Sequence, residues 1–163
     1  MIVREPHFIF HSLQNQYQSL IDAPLEVPHS CPVKSKPKRS GVERLLVTVV
    51  DDDESVRESL PDLLREFGFA AQTFSSAKEF LESDSVGQTR CLILDVAMPG
   101  MNGLDLQREL KARGQKIPII FITGQKDESI RARAFGQGAV EFLFKPFADT
   151  ALLEALNKAI RGS

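Results

Sequence analysis

Three carboxylates, one threonine and one lysine stand at the ends of four apolar runs. Asp51 and Asp52 follow residues 45–50, Asp95 follows 91–94, Thr123 follows 118–122 and Lys145 follows 140–144. Carboxylates gathered at one point repel one another and raise their own pKa values unless a cation sits among them. Hard oxygen ligands with no histidine or thiolate beside them point to Mg²⁺, which takes one or two carboxylates and completes its shell with water and phosphate oxygens. A lysine aimed at the same place supplies positive charge for a phosphoryl group. The Thr123 hydroxyl and backbone N–H groups near Gly124 can donate to its oxygens. No Cys, His or Ser is placed to compete, so the candidate nucleophile is a carboxylate that forms an aspartyl phosphate.

For residues so far apart in the chain to meet, the elements between them must be of one kind. Val56, Leu60, Leu63, Leu64 and Phe67 follow helical spacing, with Ser55-x-x-Glu58 read as a capping box, Gly68 as the stop and Pro61 predicting a kink. Residues 70–74 predict a strand, and Ser76-x-x-Glu79 caps a short helix. There follow strand 91–94, helix 104–113, strand 118–122, helix 127–135, strand 140–144 and helix 149–161. Five strand–helix units with short connections predict an α/β fold, a doubly wound, five-stranded parallel sheet of order 2-1-3-4-5, flavodoxin-like, with its polar strand ends opening on one crevice. In that order the strand ending at Asp95 is central and lies beside the first. Neighbouring strands are roughly 4.8 Å apart, which brings Asp95 within a metal's reach of Asp51 and Asp52. Taken singly, an Asp after a strand is more often a helix cap or turn residue, and Asp53 is read that way.

The 163 residues suit one domain with a tail. Residues 1–44 hold five of the nine prolines and all three histidines, and carry six Lys or Arg against four Asp or Glu. Residues 45–163 carry 14 against 18. The first part is read as a flexible N-terminal extension and linker, since prolines every four or five residues suit neither helix nor sheet. Within it, residues 10–21 have the spacing of one short amphipathic helix, and Lys34, Lys36, Lys38 and Arg39 form a basic cluster read as a solvated linker. The segment after Met1 lacks the features of a signal peptide and no apolar run is long enough to span a bilayer, so no membrane is expected and a cytoplasmic location is the default. Two cysteines give neither a bridge framework nor a metal spacing, and Cys91 reads as a buried small hydrophobe.

In their order and spacing, Val49-Val50-Asp51-Asp52-Asp53, the run from Leu92 through Asp95 and Met98-Pro99-Gly100 to Gly103, Ile119 to Gly124, and Gly138 to Phe147 resemble the receiver domain of two-component response regulators, over about residues 45–161. The wording is most similar to receivers that accompany LuxR-type DNA-binding domains. The resemblance implies that Asp95 takes a phosphoryl group from the phosphohistidine of a sensor histidine kinase. It implies that Asp51, Asp52, Asp95 and the backbone carbonyl of Ala97 hold Mg²⁺, and that Lys145, Thr123 and Gly124 contact the phosphoryl oxygens. Thr123 would swing toward them and draw Phe142 inward as an aromatic switch. The partner surface implied is the fourth helix, fifth strand and fifth helix, for a second copy or a downstream protein. Phe144 stands where many receivers have a polar residue, and with Phe142 and Phe147 it suggests an apolar docking patch, against the plainer reading of core packing.

Two rival functions are compatible with parts of this pattern. Asp51-x-Asp53 after a strand resembles the opening motif of Mg²⁺-dependent phosphatases of the haloacid dehalogenase type, but no late acidic pair follows Asp95. A pseudo-receiver that binds without phosphorylation usually lacks part of the acid pocket or the lysine, and this chain lacks neither. The expectation is a signalling phosphoacceptor rather than an enzyme. The net charge of -2 and the chain's end at Ser163 suggest no specific nucleic-acid binding and either a single-domain or a truncated regulator.

Overall fold

The computed structural model describes residues 43–162. The expected linker of 1–44, the helix at residues 10–21 and the basic cluster at 34–39 fall, apart from residues 43 and 44, outside the described residues. Strands and helices alternate as β1 (Leu46–Val50), α1 (Glu54–Glu66), β2 (Ala70–Phe74), α2 (Ala77–Leu81), β3 (Thr89–Asp95), α3 (Gly103–Ala112), β4 (Ile119–Thr123), α4 (Glu128–Gly136), β5 (Glu141–Phe144) and α5 (Asp149–Arg161). All four strand pairings are parallel and the order is β2-β1-β3-β4-β5. One short 3₁₀ turn, Asp84–Gly87, was not expected.

The central strands are apolar on both sides because both faces of the sheet are covered. Leu92 and Leu94 of β3 join Phe80, Leu106, Leu110 and Phe121 in one core, against α2, α3 and α4. Cys91 and Ile93 point the other way, into a second core with Leu60, Leu64, Ile120, Leu152 and Leu156 from α1, β4 and α5. Burying each such side chain is worth about 1.5–3 kcal/mol before the entropy of ordering it.

Several local expectations are corrected. Asp53 is the helix cap it was read as, and it takes the place expected of Ser55 as the N-cap of α1: its side chain accepts from the Ser55 N–H at 2.9 Å and from the Ser55 hydroxyl at 2.8 Å. An aspartate two residues earlier outcompetes the serine because its ionised oxygen takes both of the serine's donors. The helix runs on through the buried Pro61 to Glu66. At α2 the Ser76 hydroxyl does accept from the Glu79 N–H, while the Glu79 carboxylate reaches back to the N–H and hydroxyl of Ser75 rather than to Ser76. The proposed aromatic patch does not form as one surface. Phe142 and Phe144 belong to the core under α2, α3 and α4, and Phe147 packs with the opposite one.

Candidate functional site

The carboxyl ends of β1, β3, β4 and β5 deliver the candidate residues to one place. Register explains how: Asp95 pairs beside Ile122 and Thr123 beside Phe144, so the ends of the three strands are level. One carboxylate oxygen from each of Asp51, Asp52 and Asp95 lies within 4.8 Å of the others. Asp51 is fully buried, Asp95 is 5% exposed and Asp52 faces solvent.

Asp51 is held at every polar atom. Its N–H donates to the Phe74 carbonyl at 3.2 Å, and its Oδ1 accepts from the Asp53 N–H at 2.9 Å. Its Oδ2 accepts from the Lys145 Nζ at 2.8 Å, and its carbonyl accepts from the Arg57 guanidinium at 2.8 Å. Lys145 also reaches Asp95 Oδ1 at 3.5 Å. The lysine therefore serves as counter-ion to two acids at once, favouring Asp51.

Electrostatics follow from this crowding. Burial first, then the Asp51 charge, pushes the Asp95 carboxyl up to about 7, with Asp52 adding to the rise and Lys145 opposing it. Burial alone would lower Lys145, but the hydrogen bond and charges of Asp51 and Asp95 outweigh it and hold the ammonium above its usual value. A group so shifted by a specific partner in a crevice is a functional candidate.

The remaining expected residues are near the strand ends. Thr123 is buried, and its Oγ1 accepts the Gln125 N–H at 3.1 Å, which leaves the hydroxyl proton free to be donated elsewhere. Gly124 and the loop residue Ala97 are exposed. Phe142, expected to be drawn inward, is already inward: 4% exposed, with ring centroids 6.0 Å from Phe121 and 5.4 Å from Phe144. Any switch that it makes must start from a buried ring. Gly103 opens α3 behind Asp95, and its N–H donates to the Val96 carbonyl at 2.9 Å.

Two residues at the site escaped the sequence reading. Arg57 reaches back to the Asp51 carbonyl from α1. Nothing in a hydrophobic pattern marks an arginine that bonds a main-chain oxygen, although its place on the first turn after an Asp-rich strand end is a usable hint. Asn102, in the stretch before Gly103, caps α3 by accepting from the Asp105 N–H at 2.9 Å.

Residues 47–157 match the family model described as the response regulator receiver domain. The chain belongs to the response regulator receiver family. Among similar proteins, the response regulator protein TodT of Pseudomonas putida is 45% identical over 116 residues, which cover 71% of this chain and 51% of TodT. Nodulation protein W of Bradyrhizobium diazoefficiens is 49% identical over 116 residues, with the same shares covered. The chain thus spans about half the length of the curated relatives it matches. Among solved structures, FixJ-N superposes with a TM-score of 0.67 at 38% identity, over 74% of this chain and 97% of that one. StyR gives 0.67 at 49% identity, over 71% and 59%. The acid cluster, the buried threonine and the lysine therefore sit in a receiver domain of a two-component system. Among the described residues no helix is long and apolar enough to cross a membrane.

Proposed function

We propose that this receiver accepts a phosphoryl group on Asp95 from the phosphohistidine of a sensor histidine kinase and passes the change to a protein-interaction surface. The observation that carries the reading is the convergence of Asp51, Asp52 and Asp95 within 4.8 Å, with Lys145 bonded to two of them. The donor set suits Mg²⁺: three hard oxygens, no nitrogen or sulfur ligand, and one open, solvent-facing side at Asp52. When bound, that ion neutralises charge on the acids and on a phosphoryl group.

The chain's own residues do the rest. An Asp95 carboxyl raised toward 7 is a poor nucleophile while protonated, and a cation beside it would favour the ionised form. The carboxylate oxygen then bonds phosphorus as the phosphorus–nitrogen bond breaks, and the leaving imidazole keeps that electron pair. Lys145 shifts its charge to the new phosphoryl oxygens, and the free proton of Thr123 is available to them. Self-catalysed gain and loss of the phosphoryl group are the only chemistry asked of the domain. Partners are a kinase and a downstream protein or second copy, reached through α4, β5 and α5. A cytoplasmic setting fits a kinase partner. Family membership favours this reading over a dehalogenase-type phosphatase.

The test is exposure of the protein to a small phosphodonor such as phosphoramidate, with and without Mg²⁺, read by intact mass. One base-labile phosphoryl group, dependent on Mg²⁺ and absent from Asp95→Asn, is expected. No uptake by the wild type would favour a pseudo-receiver, and uptake by the Asn variant at the same peptide would move the acceptor elsewhere.

A further inference from the structure

Asp52 is the exposed member of the acid cluster, and its side chain meets the Asp95 carboxyl. It lies in the bend between the end of β1 and the first turn of α1. Apart from that contact, where its carboxylate stands depends on the backbone that carries it. The carbonyl of Asp51 and the nitrogen of Asp52 belong to one planar peptide unit, so fixing that carbonyl fixes the plane from which the Asp52 side chain departs. The atom that fixes it is a guanidinium nitrogen of Arg57, at 2.8 Å. Arg57 is half-buried on α1, whose start is in turn tied down by Asp53.

We propose that Arg57 is a positioning residue for the divalent cation: by holding the Asp51 carbonyl it sets the direction of Asp52 and keeps the three carboxylates in chelating range. The inference rests on the cation reading of the cluster given above. It runs against simple charge counting. A positive side chain close to an acidic pocket repels a metal ion, so on charge alone its removal should tighten binding. Loss of a residue that orients a ligand should weaken it, typically by 10-fold or more. The two effects have opposite signs, and one titration separates them.

The experiment is calorimetric titration of the full chain with MgCl₂ alone, for the wild type, Arg57→Met and Arg65→Met. Methionine keeps an unbranched apolar stem and removes the donor. Arg65 is exposed on the same helix, paired with Asp62 at 3.0 Å, and its replacement removes the same charge. Weakening by about 10-fold in Arg57→Met, with little change in Arg65→Met, is expected. Melting curves without metal verify that each variant is folded, and Arg57→Gln, which keeps a polar head at a half-exposed position, carries the same expectation should the Met variant not fold. Unchanged or tighter Mg²⁺ binding in a folded Arg57 variant overturns the proposal while leaving the metal site intact. Absence of saturable Mg²⁺ binding in the wild type overturns the cation reading itself and this inference with it.

Discussion

A methyl group on Gly103 would lie 2.4 Å from the carbonyl oxygen of Asp95 and 3.1 Å from the Phe121 ring. The first residue of α3 thus rests directly on the backbone of the candidate phosphoacceptor, and only a residue without a side chain permits it. Gly103→Ala is expected to destabilise the fold by about 1–3 kcal/mol and to slow phosphoryl uptake by displacing the end of β3. Gly136→Ala, in α4 with open space around it, should instead be neutral or stabilising by up to about 1 kcal/mol. Urea melts of both variants, with phosphodonor kinetics, check the pair. Equal stability for the two would mean that the helix slides away at little cost.

The raised Asp95 carboxyl gives stability a distinctive pH dependence. Its ordinary value is 3.8 and burial beside Asp51 lifts it to about 7, so between these the folded protein binds more protons than the unfolded one. Stability contributed by this group is therefore present at low pH and is lost as pH rises through about 7. Asp95→Asn resembles the protonated form at every pH. Without metal, the variant should melt at higher temperature than the wild type at pH 8, with the gap closing as pH is lowered toward 4. Added Mg²⁺ should narrow the gap at pH 8 by stabilising only the wild type. A constant gap across the range would show that Asp95 does not titrate there.

Thr123, in the role proposed for it, would join the loop after β4 to a phosphoryl group on Asp95. Thr123→Ala removes the acceptor of the Gln125 N–H, a hydrogen bond worth about 1 kcal/mol, so exchange of that amide should quicken even in the unmodified protein. Phosphoryl uptake should be nearly intact, whereas the response of residues 123–147 to phosphodonor should fade, because the missing contact exists only in the modified state. Thr123→Ser should restore both. Hydrogen exchange with and without phosphodonor decides it, and an undiminished response in the alanine variant would sink the role.

Cys91 is fully buried on β3, and burial pushes its thiol up to about 12. The native protein should leave this residue unlabelled by iodoacetamide at pH 8, with labelling appearing only in step with unfolding. Peptide mapping across a urea series reads this directly. Rapid labelling in the absence of denaturant would reveal local opening of β3.

Much of this fold is written in the strand ends. An apolar run that stops at a polar residue marks both the strand and the direction in which its last side chain faces, so Asp51, Asp95, Thr123 and Lys145 could be gathered from the chain alone. Parity is just as legible but easily passed over: residues 142 and 144 share one side of β5 and cannot share a surface with Phe147, which the chain carries to the other side of the sheet. Less legible are contacts to the main chain. The bond from Arg57 to Asp51 involves no side-chain complementarity. The 3₁₀ turn at Asp84–Gly87 lacks any periodic pattern over its four residues.

The lysine that balances the acids comes late in the chain. It lies 94 residues after Asp51 and 50 after Asp95, just beyond β5 at the edge of the sheet. During synthesis the three carboxylates are all present while their counter-ion has yet to be made. In the folded domain the lysine's ammonium, 2.8 Å from Asp51 and 3.5 Å from Asp95, offsets part of the repulsion among the acids, so the end of the last strand contributes charge balance as well as backbone pairing. A chain that lacks residues beyond 144 would have the three acids without the lysine that faces two of them.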